Sequence, residues 1–258
     1  MSGLVHATAI IDPTASVGSG VSVGPYAVVG PAVTIGDESS IGPHAVLERN
    51  VVLGRACRLG PGAVVGTEPQ DVKYGGEETW VEIGDGTTIR EYATVNRGTG
   101  SSGRTRIGRG CFVMSYAHIG HDCQLQDDVT LANAVQLGGH VTVGAHASIG
   151  GTTAVHQFTR IGTHAFVGGG CQVRQDVPPY ARAAGIPLRI YGINAVGLRR
   201  AGIAAEARLE LQRAFRMLFN SELSPSEALE RLNAESPRLP EVARLVSFFN
   251  GTDRGVLV

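Results

Sequence analysis

Five of the eight histidines in this chain fall within residues 118–156, and four of them lie among polar residues that recur at a spacing of eighteen. A neutral imidazole is a common general base near pH 7, and a backbone N–H beside it can stabilise an oxyanion. Clustered imidazoles are also the ligands of zinc. The pattern therefore indicates proton transfer or metal binding, provided that the fold brings the residues together. They are His118, His121, Asp122, Gly139, His140, His156 and Gln157.

A six-residue repeat in the sequence predicts a fold that could bring these residues together. Stepping by six from Val5 to Val173 gives 29 positions, of which 26 are aliphatic, and Gly follows 16 of these. A second small residue recurs four positions after the aliphatic one, as at Ala45 and Ala147. This period fits neither an α-helix nor strand alternation alone, and it is typical of hexapeptide repeats that build a parallel β-helix. We expect one large and one small inward side chain per strand.

Three hexapeptides make one triangular coil, so residues eighteen apart stack at about the interstrand distance of 4.8 Å. The predicted columns are His121–Gly139–Gln157 and Asp122–His140–Phe158. His146 and His164 also stack eighteen apart at a different position, and we interpret them as surface residues.

Two interruptions of the repeat predict loops that project from the solenoid, at residues 67–82 and 96–106. Insertions in repeat proteins often carry the binding face. The first loop contains Gln70, Asp71 and Lys73, and Lys73 is the only lysine in the chain.

Composition excludes several classes of protein. With 43% hydrophobic and 17% charged residues, the chain lacks the signature of a disordered protein. Its 36 glycines do not fall at every third position as in collagen. The formal net charge of −1 argues against nucleic-acid binding. There is no run of 18 apolar residues and no visible secretory signal, so we expect no integral membrane segment and a cytoplasmic location.

All four cysteines occupy the small inward position of the repeat, where they act as core filler. They show no CxxC spacing, so neither a zinc site nor a disulfide framework is supported. Buried thiols suit a reducing cytoplasm. They are Cys57, Cys111, Cys123 and Cys171.

The repeat ends after Val173, and residues 176–191, which contain three prolines, are predicted to be irregular. From about Asn194 the hydrophobic period becomes helical, and residues 224–227 (SPSE) form a capping box. We therefore divide the chain into a β-helix at 1–191 and an α-helical domain at 192–258. The predicted apolar helix faces are Ile203, Ala207, Leu211, Phe215 and Leu218, then Val242, Leu245, Val246 and Phe249.

Several motifs closely resemble the UDP-N-acetylglucosamine acyltransferases of lipid A biosynthesis, and the resemblance covers essentially the whole chain. The HQF and DVPPY stretches are more specific than the hexapeptides, which many acyltransferases share. The motifs are QDVKY (70–74), AHIGHDC (117–123), LGGHV (137–141), GGTTAVHQF (150–158), DVPPY (176–180) and NAVGLRR (194–200). The resemblance implies an all-β, left-handed parallel β-helix with a C-terminal α-helical domain. It also implies a homotrimer with active sites in clefts between subunits.

The implied activity needs no cofactor and no metal. It transfers an (R)-3-hydroxyacyl group from acyl carrier protein to the 3-position of UDP-N-acetylglucosamine, or of its 3-amino analogue, as the first step of lipid A biosynthesis. By position, His121 would be the general base and Asp122 would orient it or stabilise its charge. The N–H of Gly139 would stabilise the thioester oxyanion.

The resemblance also implies the residues that bind substrate. Asn194 and Arg200 would contact the nucleotide, and Gly169, one column over, resembles the position that limits acyl length. The residues that would hold the sugar, pyrophosphate and acyl groups are Gln70, Asp71, Lys73, His118, His140, His156 and Gln157.

Three positions depart from the family pattern. Val196 stands where relatives often carry Glu, and Pro187 lies where some place His. Gln172 lies where many have Gly, and a Gln there could favour a 3-amino acceptor.

The residues by themselves leave three other functions open. The pathway's later N-acyltransferase usually has an N-terminal uridine-binding domain, for which a repeat starting at Val5 leaves no room. A trimeric zinc hydratase of the carbonic-anhydrase type would use clustered histidines, but the spacing of His118 and His121 does not match it. A purely structural scaffold would leave Lys73 and the histidine edge unexplained.

Overall fold

The computed structural model describes residues 4–219, 222–234 and 239–257. Within them, 27 strands (β1–β27) and four helices (α1–α4) are numbered in chain order. Successive strands up to β25 pass in turn to a first, a second and a third parallel sheet, which form the sides of a triangular prism.

Short strands follow from the repeat, since each hexapeptide leaves room for two extended residues before the next turn. From β3 to β25 the aliphatic repeat residue is buried in every strand, which confirms the predicted inward position. The first sheet contains β1 (Ile10–Ile11), β4 (Val28–Val29), β7 (Val46–Leu47), β10 (Val64–Thr67), β13 (Thr94–Asn96), β16 (His118–Ile119), β19 (Gln136–Leu137), β22 (Ala154–Val155) and β25 (Gln172–Val173).

The second sheet contains β2 (Ser16–Val17), β5 (Thr34–Ile35), β8 (Val51–Leu53), β11 (Trp80–Ile83), β14 (Arg104–Ile107), β17 (Gln124–Leu125), β20 (Thr142–Val143) and β23 (Arg160–Ile161). The third contains β3 (Ser22–Val23), β6 (Ser40–Ile41), β9 (Arg58–Leu59), β12 (Thr88–Ile89), β15 (Phe112–Val113), β18 (Thr130–Leu131), β21 (Ser148–Ile149), β24 (Phe166–Val167), β26 (Ala181–Ala184) and β27 (Arg189–Ile193).

Both projecting loops are shorter than the sequence predicts. Strand β11 begins at Trp80 and β14 at Arg104, so loop 1 spans residues 68–79 and loop 2 spans residues 97–103. Val65 pairs with Val95 thirty residues later, and Val95 pairs with Ile119 after twenty-four. Both separations exceed eighteen by a multiple of six, and the six-residue frame therefore survives the insertions.

The four cysteines are buried and free, as predicted. Burial raises the pKa of Cys111 to about 11 and of Cys123 to about 12, which keeps both thiols protonated near neutral pH.

The prediction that residues 176–191 are irregular is wrong. They contain β26 and most of β27, an antiparallel hairpin that extends the third sheet beyond β24. The inward residues of β26 are Ala181 and Ala183, both buried, and no large aliphatic marks them in the sequence. The end of the third sheet is thus covered by chain before the helices begin.

The C-terminal helices are α1 (Ala195–Arg200), α2 (Ala205–Phe219), α3 (Pro225–Ala234) and α4 (Pro240–Phe248). The predicted capping box is confirmed, because Ser224 Oγ accepts from the N–H of Glu227 at 3.3 Å and the Glu227 carboxylate accepts from the N–H of Ser224 at 2.8 Å. The predicted helix faces are buried except for Ile203 and Phe249, which lie just outside α2 and α4 and are partly buried. The division at residues 191 and 192 stays a prediction. Among the described helices, none is long and apolar enough to cross a membrane.

Candidate active site

The predicted histidine edge lies at the corner where the first sheet passes to the second. We call this the histidine corner; on three successive coils it consists of residues 120–122, 138–140 and 156–158. The predicted columns are confirmed, since the N–H of His140 donates to the carbonyl of His121 at 2.9 Å and the N–H of Phe158 donates to that of Gly139 at 3.1 Å. Loops 1 and 2 leave the prism at the same corner, because each also joins a first-sheet strand to a second-sheet strand.

His121 and Asp122 form a hydrogen-bonded pair at this corner. Nδ1 of His121 lies 2.8 Å from Oδ2 of Asp122, whose side chain is fully buried. An ionised carboxylate only accepts hydrogen bonds, so the proton of a neutral His121 resides on Nδ1 and Nε2 is the free base. The pair has the geometry of a general base and the carboxylate that orients it.

Loop 2 closes over the carboxylate of Asp122. Thr99 donates its N–H to Oδ1 at 3.0 Å and its hydroxyl to Oδ2 at 2.8 Å, and the Ser102 hydroxyl contacts Oδ1. Burial alone would raise the pKa of Asp122, but hydrogen bonds from Ser102, His121 and Thr99 together hold it below its usual range. Thr99 and Ser102 were not predicted, because no sequence motif marks them; the second interruption of the repeat is the one signal that points to their loop.

His140 packs against His121 on the next coil. The two rings meet edge to face with centroids 5.1 Å apart, and Nε2 of His140 lies 3.6 Å from Oδ2 of Asp122. Phe158 stacks on His140 with ring centroids 4.4 Å apart, and the guanidinium of Arg254 lies 5.8 Å from the Phe158 ring. Burial lowers the pKa of His140, and the Asp122 charge partly opposes that shift.

Gly139 lies beside the free nitrogen of His121. A Cβ atom at Gly139 would lie 2.5 Å from both Cε1 and Nε2 of that imidazole, so any side chain would displace the ring. The Gly139 N–H makes no hydrogen bond to the part of the chain that the structure describes. It is therefore a donor available to a developing oxyanion beside the base.

The other histidines of the edge differ in burial. Nδ1 of His118, on β16, lies 2.8 Å from the Thr94 hydroxyl; burial, and secondarily the nearby His121, lower the pKa of His118. His156 is exposed, with Nδ1 3.0 Å from the carbonyl of Gln157. The side chain of Arg254 donates to the same carbonyl at 3.1 Å.

Loop 1 brings its predicted residues to this corner. The Asp71 carboxylate accepts the N–H of Lys73 at 3.0 Å, while the side chains of Gln70 and Lys73 are exposed. The charge of Asp71 opposes the lowering of the pKa of His140, so the two residues lie within electrostatic reach.

Four predicted substrate residues lie away from the histidine corner of the same chain. Gly169 lies at the corner between the third and first sheets, so it is not one column over from His121 but across the first sheet from it. Gln172 is exposed on β25 and accepts from Arg174 at 2.9 Å. Asn194 and Arg200 line a cavity of 420 Å³ outside the third sheet, the face opposite the histidine corner.

Asn194 has a structural role of its own. Its Oδ1 accepts from the N–H of Gly197 at 3.1 Å as the N-cap of α1, and its Nδ2 donates to the carbonyl of His164 at 3.0 Å. Val196, on the same helix, lines the same cavity and is exposed. Pro187, the other departure from the family pattern, lines a separate cavity of 460 Å³ together with Gln172.

One group of side chains could approach a metal ion. The ligand atoms of His121, Asp122 and His140 lie within 4.8 Å of one another. However, Oδ2 of Asp122 already accepts from His121 and from the Thr99 hydroxyl. Its Oδ1 accepts from the Thr99 N–H and contacts the Ser102 hydroxyl. The arrangement fits a proton-transfer pair better than a set of open metal ligands.

Hexapeptide coils with a hydrogen-bonded histidine and carboxylate at a prism corner place the protein in the hexapeptide class of transferases. Residues 14–49, 32–67 and 104–139 match the family described as bacterial transferase hexapeptide, and residues 176–257 match the second domain of the UDP N-acetylglucosamine O-acyltransferases. The chain belongs to the family of acyl-[acyl-carrier-protein]–UDP-N-acetylglucosamine O-acyltransferases.

Curated relatives share nearly the full length. The protein with that name from Alkalilimnicola ehrlichii is 49% identical over 96% of this chain and 97% of its own. Its counterpart from Anaeromyxobacter dehalogenans is 48% identical over 98% of both chains.

Solved structures agree with the fold. The UDP-N-acetylglucosamine acyltransferase of Bacteroides fragilis superimposes with a TM-score of 0.97 at 35% identity, covering 99% of this chain and 100% of its own. The enzyme from Campylobacter jejuni gives 0.94 at 35% identity over 99% of both chains. The predicted left-handed β-helix with C-terminal helices is thereby confirmed.

Proposed function

We propose that this protein transfers an (R)-3-hydroxyacyl group from acyl carrier protein to the 3-hydroxyl of UDP-N-acetylglucosamine, the first step of lipid A biosynthesis. The observation that carries the proposal is the His121–Asp122 pair, whose free Nε2 lies beside Gly139, a residue with an N–H that makes no hydrogen bond within the described chain. The family membership of the whole chain supports it.

In this reaction Nε2 of His121 takes the proton of the sugar 3-hydroxyl as its oxygen attacks the thioester carbonyl. Asp122 stabilises the imidazolium that forms, and the Gly139 N–H faces the oxyanion. The C–S bond then breaks, and the leaving thiolate takes the proton back from His121. An ester and a free thiol of the carrier protein result, with no cofactor consumed.

Substrate binding is assigned along the same corner. Lys73, the only lysine, supplies a positive charge for the pyrophosphate, and Asp71 is placed to accept from a sugar hydroxyl. The remaining residues proposed to hold the sugar, pyrophosphate and acyl groups are Gln70, His118, His140, His156 and Gln157. Asn194 and Arg200 are proposed for the nucleotide, Gly169 for acyl length and Gln172 for the acceptor pocket.

We also propose that the protein works as a homotrimer. The proposed nucleotide residues lie on the face opposite the histidine corner, so one chain cannot bring both to a single ligand. The outer face of the first sheet also presents Ile10, Val28, Val46 and Val64 in one apolar stripe, with Ile10 65% exposed. A neighbouring copy would bury the stripe and supply the missing residues.

Light scattering tests the assembly. The chain has a mass of 26.9 kDa, so we expect about three times that mass at micromolar concentration. A monomer mass would contradict the proposal.

Product analysis tests the reaction. Mass spectrometry after incubation with mixed hydroxyacyl carrier-protein thioesters and both the 3-hydroxy and 3-amino UDP-sugars should give an ester of the 3-hydroxy sugar. An amide of the 3-amino sugar as the main product would instead assign a role to Gln172. No acylated sugar at all would reject acyl transfer in favour of a scaffold or a hydratase.

A variant of the proposed general base tests whether the activity depends on the histidine corner. His121→Ala should lower kcat by roughly 10²–10⁴, the usual contribution of general-base catalysis, with the trimer intact. His146→Ala is the matched control, because His146 stacks on His164 at another corner. Equal activity of the two variants would exclude His121 as the base.

A cytoplasmic location fits this reaction. The four cysteines are free thiols within the β-helix, as expected of a protein kept in a reducing compartment.

A further inference from the structure

We propose that Thr99 and Ser102 of loop 2 are positioning residues that hold the Asp122 carboxylate against His121. The inference rests on the proposed function for its kinetic test, though not for its spectroscopic test. It deepens that function by assigning a second element of the chain to the His121–Asp122 pair.

The contacts account for both carboxylate oxygens. Oδ2 accepts from Nδ1 of His121 and from the Thr99 hydroxyl, each at 2.8 Å. Oδ1 accepts from the Thr99 N–H at 3.0 Å and contacts the Ser102 hydroxyl. A carboxylate with donors on both oxygens cannot rotate about its Cβ–Cγ bond without breaking several hydrogen bonds. Its Oδ2 is therefore fixed in the direction of the imidazole.

The Ser102 hydroxyl has two possible acceptors, and their charges determine which one receives its proton. Its Oγ lies near Oδ1 of Asp122 and also 3.0 Å from the carbonyl of Arg104. A hydrogen bond to an ionised acceptor is roughly twice as strong as one to a neutral carbonyl. The single hydroxyl proton is thus directed to Asp122.

Loop 2 is itself held rigidly enough to position a carboxylate. The Arg97 side chain is 3% exposed; Nη1 donates to the carbonyl of Gly66 at 2.5 Å, and the Arg97 N–H donates to Thr67 at 2.8 Å. At the other end, the hydroxyl of buried Thr105 accepts the N–H of Asp122 at 2.9 Å. One end of the loop is therefore tied to the preceding coil, and the other end to the coil that carries the pair.

The backbone of loop 2 also requires glycine at two positions. A Cβ atom at Gly98 would overlap the backbone of Arg104, and Gly103 has a φ of +73°. The chain can therefore turn back sharply enough to direct Thr99 and Ser102 inward at Asp122.

Kinetics give the first test. Ser102→Ala and Thr99→Val should each lower kcat roughly tenfold while the KM values of both substrates stay within about twofold, since small displacements of a catalytic group cost that much or more. Thr99→Ser, which keeps the hydroxyl, should retain most of the activity. Ser101→Ala is the matched control; the Ser101 hydroxyl makes no hydrogen bond to any residue that the structure describes.

A double-variant cycle separates positioning from general damage. In an Asp122→Asn background, Ser102→Ala should cause no further loss of kcat, because its effect passes through the carboxylate. Wild-type kcat in both Ser102→Ala and Thr99→Val, or full additivity with Asp122→Asn, would overturn the proposal.

Proton NMR of the substrate-free protein gives a test that needs no acyl transfer. A low-field resonance from the Nδ1–H of His121 should appear in the wild type and in Ser101→Ala, and be absent from His121→Gln. In Ser102→Ala it should move or broaden through faster exchange. Identical resonances in Ser101→Ala and Ser102→Ala would refute positioning, even if the wild type acylates no UDP-sugar and the proposed function fails.

Discussion

Gly139 lies so close to His121 that a single added carbon would meet the imidazole at 2.5 Å from Nε2. The two residues belong to one column, eighteen positions apart, and the coil geometry stacks them. The unbonded Nε2 of His121 and a residue whose backbone N–H makes no hydrogen bond within the described chain are therefore direct neighbours at the histidine corner.

Gly139→Ala should abolish that arrangement while leaving the fold intact. Gly139 is not among the residues with positive φ, so alanine can adopt its backbone, but the methyl group must displace the His121 ring. We expect kcat to fall by roughly 10² or more, as for a 1 Å displacement of a catalytic group. Gly75→Ala is the control, because a Cβ there meets nothing closer than 3.7 Å. Steady-state assays would contradict this if both variants kept wild-type kcat.

The repeat made the coils and the stacked columns predictable, because an aliphatic side chain every six residues must point into a narrow prism. The sequence alone therefore predicts that His121, Gly139 and His140 lie together. Loop 2 could not be predicted in the same way. Its path depends on polar contacts of Arg97 and Thr99 with groups distant in sequence, and such contacts produce no repeating pattern of residue types.

The hairpin of β26 and β27 escaped prediction for a related reason. Its inward residues are alanines, so the signal that marks the other strands is absent. The predicted position of Gly169 was wrong because a coil has three corners, and the column must first be assigned to one of them. The corner between the third and first sheets is not the one that carries His121.

Acyl length should respond to Gly169. A Cβ at this position would lie 3.1 Å from the carbonyl oxygen of Gly151, so a small adjustment admits a side chain that then extends from the corner. Gly169→Met should shift the preference to shorter acyl groups, by about 0.8 kcal/mol for each methylene that loses its burial. Gly169→Ala should cause a smaller shift. Competition between thioesters of different length measures both, and an unchanged profile would remove Gly169 as the length-limiting residue.

Chelation should leave the activity unchanged. The Asp122 carboxylate is occupied by His121, Thr99 and Ser102, so a zinc ion would have to displace these donors. Dialysis against EDTA and phenanthroline should therefore keep kcat within error of the untreated protein. Stoichiometric zinc in the purified protein, together with loss of activity on chelation, would favour the hydratase interpretation.

Acidification should destabilise the fold partly through His164. Burial lowers the pKa of His164, and the nearby His146 and Arg244 lower it further. The unfolded chain then takes up its proton first, near pH 6.5, so the free energy of unfolding falls as the pH drops through that value. His164→Phe, which can keep the stack between His146 and Tyr180, should lose less stability between pH 7.5 and 5.5 than the wild type. Urea unfolding at fixed protein concentration measures the difference; equal losses would rule out this contribution.

Lys73 should act as the point charge that recognises the UDP-sugar. Its side chain is exposed on loop 1, and its backbone is fixed by the Asp71 carboxylate at 3.0 Å. Lys73→Ala should raise the KM of the UDP-sugar roughly tenfold, or about 1.4 kcal/mol, with a smaller change for the carrier protein. Lys73→Arg should recover part of the loss, and added salt should weaken wild-type binding.

Chemical labelling tests the same residue without kinetics. Because Lys73 is the only lysine, an amine reagent such as pyridoxal phosphate with borohydride can modify only its side chain and the terminal amine. Saturating UDP-sugar should protect Lys73 and leave the terminal amine reactive, which serves as the internal control. Peptide mass spectrometry separates the two sites, since they lie far apart in sequence. Equal labelling of Lys73 with and without the UDP-sugar would place it outside the binding site.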